Sequence, residues 1–524
     1  MSIHRSAPRR RSIATPRTLL ATACLLVSGA ALSITAAAPA GASGASTPAS
    51  AAPSATTRIP DAAFALAAEL RERALADGTA WDVVESLTTE IGPRLAGSEA
   101  DARAVRWAEA KFRELGYDRV WLEPVEFPKW VRRGERAEVL GAHAQPLNLT
   151  ALGGSPGGTV EGEIVRFPDL AALEAAPAGS LTGKIAFVDY TMQRAKDGNG
   201  YGPASRIRSR GPSAAIRAGA VGYLMRSAGT EPHRFAHTGI TRFDEGLTPV
   251  PSAALAMPDA EQLTRLLALG TPVRVRLALD CGWDGTAQSF NVIGEVTGRD
   301  RRLRDEVVVI GGHLDSWDLG TGAIDDGAGV GITMAAGALI ARLPKAQRPA
   351  RTVRVIAFAN EEQGLIGGRV YAANRAAAGE IARHQIAAES DFGAGRIYAI
   401  DSNAAPHAQA AIARIAEALA PLGIAHAPGT GSPGPDLIHL SQAGGIWAEL
   451  AQDGTDYFDY HHTPDDTLDK IDPAALAQNA AAYTVFAYLA AAAEGGFGSA
   501  PKAAPSTVPQ AAPAPPPAGT AGAK

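Results

Sequence analysis

Four apolar runs of strand length punctuate the second half of the chain: "EVVVIGG" (306–312), "TVRVIAFA" (352–359), "HQIAAES" (384–390) and "GIWAELA" (445–451). Most lack the apolar–polar alternation of a strand with one wet face. Continuous apolar runs suit central strands covered on both sides. Between them lie polar, glycine-bearing loops and apolar-rich stretches of helical length, "GVGITMAAGALIARL" and "PHAQAAIARIAEALAPL". Strand, loop and helix in succession predict an α/β domain with a mixed central β-sheet flanked by helices.

The rest of the chain divides around this core. Residues 58–125 read as an N-terminal part of the same domain, with two amphipathic helices. Ala63, Leu66, Ala67 and Leu70 group on one face of the first, and Val105, Ala108, Phe112 and Leu115 on one face of the second. Residues 126–288 change character. Short strands ("GEIVRF", "GKIAFVDY", "GYLMRS", "PVRVRLAL") alternate with turns and small helices, so this segment reads as a mostly β insert. The core then spans 289–496.

Both termini read as lying outside the fold. Five arginines precede the apolar run "LLATACLLVSGAALSITAAA", and small residues follow it. That order predicts a signal peptide over 1–42 and export to a secreted or periplasmic location. A lipid or signal anchor is the rival, but Ala21 makes a poor lipobox before Cys24. No later stretch approaches the roughly 20 apolar residues of a membrane span. Residues 43–57 read as linker and 497–524 as a disordered Pro/Ala-rich tail. The formal charge is −5, and −10 once the five leader arginines are removed, which disfavours a nucleic-acid partner. Of two cysteines only Cys281 stays in the mature chain, so no thiolate-rich metal site or internal disulfide is possible.

The polar residues fall at the ends of the predicted strands. His313 and Asp315 follow the first strand, Glu361 and Glu362 the second, and Asp391 the third. Ligands in open α/β sheets bind beyond the carboxyl ends of strands. Asp325 and Asp326 sit in the loop entering a helix, and "DYHHTPDDTLD" adds His461 and His462. Taken singly, each piece has an ordinary reading. A His-x-Asp is commonly loop polarity, Asp-Asp before Gly a turn or helix start, and Glu-Glu surface. Together they supply what a zinc pair needs: imidazole nitrogens, carboxylate oxygens, a bridging carboxylate and a spare acid/base. Two Zn²⁺ would be neutralised by three carboxylates and a hydroxide.

The ordered set "HLD", "GAIDDGAG", "NEEQG", "ESDFG" and "HHTPDDT" resembles the co-catalytic zinc exopeptidases of the aminopeptidase/carboxypeptidase Q family, over roughly residues 60–495. The resemblance implies the zinc exopeptidase fold with a protease-associated-type insert. It implies two zinc ions held by His313, Asp325, Glu362, Asp391 and His462. Asp325 would be the bridge, in a cis peptide with Asp326. Asp315 would orient His313 by accepting its other ring N–H, and Glu361 would be the general base. Asp436 matches a family acid near the substrate. His461 falls one position early and reads as structural, while Asp318, Asp465 and Asp469 read as solvated, turn and cap residues. The implied activity is hydrolysis of dipeptides or short peptides, with an aminopeptidase as the rival and a homodimer as the assembly. Two further readings differ in class: a relative of this fold without metals, and a serine hydrolase through Ser155 in "GGSPG". Against the latter, Pro156 follows the serine where an oxyanion-hole N–H should lie.

Overall fold

The computed structural model describes residues 56–499. The expected leader, nearly all of the linker and most of the Pro/Ala-rich tail lie outside the described residues. The chain opens with α1 (Asp61–Leu75), α2 (Thr79–Ser86) and α3 (Glu99–Glu114). Ser98 caps α3 by accepting the Asp101 N–H, and Ala104, Val105, Ala108 and Phe112 form its buried face. The strand β1 (Arg119–Leu140) leads into β2 (Gln145–Leu147), β3 (Leu149–Ala151), β4 (Gly158–Phe167) and α4 (Leu170–Glu174). Then come β5 (Lys184–Val188), α5 (Tyr201–Arg217), β6 (Gly222–Arg226), β7 (Ser252–Leu255) and α6 (Met257–Leu267). The return strand β8 (Arg274–Val296) runs antiparallel to β1 along nearly its whole length.

The remaining elements carry the site. They are β9 (Val307–His313), α7 (Ala328–Ala341), β10 (Thr352–Phe358), α8 (Ile366–Ala377) and β11 (His384–Glu389). After them come β12 (Ile397–Ser402), α9 (Gln409–Leu419), β13 (Ala425–His426), α10 (Ile438–Gln442) and β14 (Ala448–Gln452). The short α11 (Tyr457–Tyr460) and the long α12 (Pro473–Ala492) follow.

Among the described residues, eleven strands join in one mixed sheet whose main path is β11-β9-β10-β8-β4-β5-β6-β7-β3. The β9 strand lies between β10 and β11 and is parallel to both. The β8 strand pairs antiparallel with β10 through its last residues and with β4 through its first. One continuous ribbon, β1 with β8, therefore ties the 145–267 segment to the sheet that carries the site. Within that segment β4, β5, β6 and β7 are parallel neighbours. Parallel strands need crossovers, and α4 and α5 supply two of them.

Every residue of β9, β10 and β11 is buried. They are covered in part by α7 and α12, helices that are apolar all round and nearly sealed from solvent. The one described helical stretch long and apolar enough to cross a membrane, Ala323–Ala341, is wholly buried in the protein. The run "GIWAELA" behaves differently from its three companions. Its strand, β14, alternates buried and half-buried residues and pairs antiparallel with β12 in a separate three-stranded sheet. A single bridge, Ala387 to Trp447, links it to β11. Glu449 in mid-run marks that alternation.

His384, at the start of β11, gives the fold an acid-sensitive point. Its Nε2 accepts from the Tyr371 hydroxyl at 2.7 Å and its Nδ1–H donates to the Glu380 carbonyl at 3.0 Å. Burial and the Arg354 charge push its pKa down to about 4. An unfolded histidine titrates near 6.5, so below that pH the unfolded chain binds the proton first. Stability is present above about pH 6.5 and is lost as pH falls towards 4, by about 3 kcal/mol from this group. Urea denaturation across this range should show the loss, and His384→Gln should flatten that part of the profile.

Candidate metal centre

Three parallel strands end at one edge. His313 is the last residue of β9 and stands opposite Phe358, the last of β10. Glu361 and Glu362 follow β10 by a short turn, and Asp391 follows β11. Glycine makes room for this convergence. A Cβ on Gly312 would strike the Asp326 carboxylate, and one on Gly329 would strike the Ser390 carbonyl.

Asp325 lies at the centre. Its Oδ1 is 3.0 Å from His313 Nε2, and Asp391 Oδ1 is 3.4 Å from the same nitrogen. Its Oδ2 is 3.1 Å from His462 Nε2 and 3.6 Å from His461 Nε2. Glu362 Oε2 approaches His462 Nε2 to 2.9 Å. One carboxylate thus faces two clusters, His313–Asp391 through one oxygen and His462–Glu362 through the other.

Buried hydrogen bonds fix this arrangement. Arg94, fully buried, donates from Nε to the Leu314 carbonyl at 2.5 Å, and from its two Nη atoms to the carbonyls of Thr321 and Gly322 at 2.7 and 2.9 Å. Asp466 accepts from the N–H of Ile324 at 2.6 Å and of Asp325 at 3.3 Å. Asp326 accepts from the N–H of His313 and of Gly329, each at 3.0 Å, and the Asp325–Asp326 peptide is cis. His462 is held from the 145–267 segment: the Thr238 carbonyl lies 3.2 Å from its Nδ1, and the Thr238 N–H donates to its carbonyl at 3.0 Å. The non-glycine residues with positive φ among the described residues, Asn360, Leu365 and His462, all border this site. Strained backbone concentrates at functional sites.

The electrostatics show strong negative potential. Burial alone would depress His313, yet Asp391, with Asp325, carries its pKa well above the ordinary range. His462 rises likewise against burial, through Glu362 and Asp325. Burial opposes ionisation of Asp325, but His313 and His462 hold it well below the usual carboxylate range. Burial and the Asp325 charge push Glu362 up to about 7. Glu361 rises well above its ordinary value through burial and the charges of Asp391, Glu362 and Asp436.

The residues fit a metal. Donor atoms of His313, Asp325 and Asp391, and of Asp325, His461 and His462, gather within 4.8 Å of one another. Asp325 Oδ2 is buried without a hydrogen-bond partner even though His462 Nε2 is 3.1 Å away. Close but unaligned donors of this kind suit a shared cation better than each other. A cleft of about 300 Å³ opens onto them, lined by Glu361, Glu362, Asp325, Asp391, Tyr201, Phe392, Tyr457 and Phe458 among others.

The other expected residues have distinct places. Asp315 sits beside His313, but its backbone carbonyl, 3.0 Å from Nδ1, is nearer than its carboxylate at 3.8 Å. The carboxylate instead accepts the Glu361 N–H at 3.0 Å. Asp436 is buried behind the cleft, accepting the Gly368 N–H, and its own N–H donates to Glu389. Asp318 does not face only water: Arg132 donates Nε to it at 3.0 Å. Asp465 and Asp469 pair with Lys470. His461 stacks on His462 with ring centroids 3.5 Å apart, nearer the cluster than its sequence position suggests. Ser155 is fully buried, and its hydroxyl bonds to the Pro156 carbonyl and the Ser252 N–H. Those partners give a nucleophile no base.

A mixed sheet with two imidazole–carboxylate clusters at the carboxyl edge of its parallel strands, sharing one acid beside a narrow cleft, defines a metallo-exopeptidase. Residues 291–487 match the model of peptidase family M28. Carboxypeptidase Q of Xenopus laevis is 31% identical over 430 residues, which cover 81% of this chain and 88% of that protein. Carboxypeptidase Q of Homo sapiens is 31% identical over 79% of this chain and 86% of its own length. The solved structure of a peptidase M28 precursor from Shewanella amazonensis SB2B has TM-score 0.80 and 50% identity, covering 82% of this chain and 97% of that one. An aminopeptidase from Aneurinibacillus sp. strain AM-1 shares the fold, with TM-score 0.57 at 21% identity over 80% of this chain and 96% of its own. The chain belongs to peptidase family M28.

Arg94 is the scaffold residue that the motifs did not reveal. Replacing it by methionine leaves three carbonyls of the 314–322 loop without their charged donor. Arg94→Met should lower unfolding stability by about 3 kcal/mol and weaken metal binding at least tenfold. Urea denaturation and metal titration measure the two effects, and an unchanged profile in both contradicts the scaffold role.

Proposed function

We propose that the protein is an exported zinc exopeptidase that hydrolyses dipeptides or short peptides, with two zinc ions per chain. The observation that carries this reading is the placement of Asp325 between His313 and His462. In this reading His313 and Asp391 would hold one ion, His462 and Glu362 the other, and Asp325 would serve both. When bound, the metal pair supplies Lewis acidity that polarises the scissile carbonyl and makes water acidic near neutral pH.

The chain's own groups do the rest. Glu361 lines the cleft, and its raised pKa suits a group that alternately holds and releases a proton. It takes the proton of the attacking water and delivers it to the departing amine. Its backbone is fixed by the Asp315 carboxylate on its N–H, and by the N–H groups of Gly364 and Leu365 on its carbonyl at 2.9 and 2.8 Å. Tyr201, Phe392, Tyr457 and Phe458 make the walls apolar and limit competing water.

The aminopeptidase reading uses the same residues. Identity of 31% to carboxypeptidase Q across 81% of this chain favours a carboxypeptidase or dipeptidase. The basic and apolar sequence before residue 43 supports export, and an exported chain beginning at Gly41 or Ser43 would bear this out. Glu361→Gln should reduce kcat on a dipeptide by about 10²–10⁴-fold and leave zinc content at the wild-type level. Full activity of that variant rules out the mechanism.

A further inference from the structure

The metal centre occupies one edge of the sheet, and the opposite edge carries the opposite charge. There β9, β10 and β11 begin level with one another, since Thr352 and His384 both stand opposite Val307. The loops that enter these strands, 297–306, 343–351 and 378–383, therefore share one face. The first of them, "TGRDRRLRDE", holds four arginines. The strand β9 has seven residues, so roughly 20 Å separate this face from His313.

The charges here divide into two sets. The inner arginines are engaged in holding the edge together. Arg348 donates to Asp118 at 2.5 Å, Arg351 to Glu306 at 2.6 Å and Arg354 to Glu295 at 2.7 Å. Backbone bonds add to this, as the N–H groups of Arg299 and Asp300 donate to the carbonyls of Pro349 and Ala350 at 3.0 and 3.2 Å. The outer cations are different. Arg299, Arg301, Arg302, Arg304, Lys345 and Arg383 are all exposed, whereas Asp305 is the one exposed acid in the same loops. Arg302 and Arg383 make only loose contacts, 3.7 Å from Asp300 and from Glu380. The side chains of Arg301, Arg304 and Lys345 have no hydrogen-bond or ion-pair partner among the described residues. The chain as a whole carries −5, so this concentration of unpaired positive charge runs against its overall balance. Crowded like charges repel one another, and an anionic partner relieves the repulsion.

The spread of the free cations says which partner fits. They lie on separate loops around two hollows of about 640 and 530 Å³ that both touch Thr297. One bound phosphate needs donors that converge, and the guanidinium groups of Arg348 and Arg354 that line these hollows are already paired. Many phosphates side by side, as on a lipid surface, match cations that are dispersed. No large apolar side chain is exposed in these loops, so the face has nothing to insert into hydrocarbon. We propose that it docks the protein electrostatically on an anionic phospholipid surface. The docking uses no residue of the metal centre and leaves the cleft at the far edge of the sheet open to peptides.

The test is co-flotation of the full chain with vesicles of phosphatidylcholine alone, or with about one-third phosphatidylglycerol. Wild type should bind the anionic vesicles at least tenfold more tightly at about 0.05 M salt and release them near about 0.5 M. Each basic residue near such a surface contributes about a fivefold change in partition. The triple variant Arg301→Ala/Arg304→Ala/Lys345→Ala should therefore bind on the order of 100-fold more weakly. Its urea midpoint and zinc content should match wild type, which shows that fold and metal centre are intact. Any contribution of the basic sequence before residue 43 is common to both chains. Arg301→Lys/Arg304→Lys should bind like wild type, because the surface reads charge and not the arginine fork. Equal binding of wild type to both vesicle types, or undiminished binding by the alanine variant, overturns the proposal. Displacement from the vesicles by inorganic phosphate at constant ionic strength also overturns it, in favour of a small-anion site.

Discussion

The Asp325 carboxylate meets His313 through one oxygen and His462 through the other, at 3.0 and 3.1 Å, in the interior of the protein. Burying so many acids near one point costs several kcal/mol for each charge unless positive charge balances them. Asp326, Glu361, Glu389 and Asp436 all show the strain, each held well above its ordinary pKa first by burial and then by neighbouring carboxylates. Much of the surrounding framework can be understood as the means of holding Asp325 in that position. Arg94 pins the carbonyls of the loop before it, Asp466 accepts its N–H, and Asp326 ties the start of α7 to the end of β9.

The 145–267 segment takes part in the site as well as flanking it. Thr238 grips His462 from both sides, and Arg132 on β1 donates both to the Thr238 hydroxyl at 3.0 Å and to Asp318. Tyr201, at the start of α5, stacks on Phe458 with ring centroids 4.6 Å apart and meets His461 edge-on. The wall of the cleft and the orientation of one ligand therefore depend on residues over 200 positions away in sequence. The long β1–β8 ribbon is what fixes the two regions in register.

The motifs made His313, Asp325, Glu361, Glu362, Asp391 and His462 legible: the first five lie at or beside a strand or helix boundary that the apolar pattern reveals, whereas His462 was legible only through the "HHTPDDT" motif and the resemblance that it carries. The same pattern disclosed β9, β10, β11 and α7. What stayed hidden has no local signature. Arg94 lies 220 residues from the Leu314 carbonyl it binds, in a loop whose sequence reads only as a helix approach. Asp318 resembles any loop aspartate until β1 brings Arg132 to it. The helix α12 escaped notice because alanine and aromatic residues surround it evenly and leave no amphipathic stripe. The division of labour at Asp315, carbonyl to His313 and carboxylate to Glu361, is a matter of chain direction that residue identity does not encode.

If Asp325 serves two clusters at once, metal content should follow. Zinc per chain, measured by elemental analysis after dialysis against a slight excess, should be two for the wild type. Asp325→Ala should lose both ions, whereas Asp391→Ala should keep one. A wild-type stoichiometry of one or none, or an Asp325→Ala variant that still holds two, would contradict the shared-carboxylate arrangement.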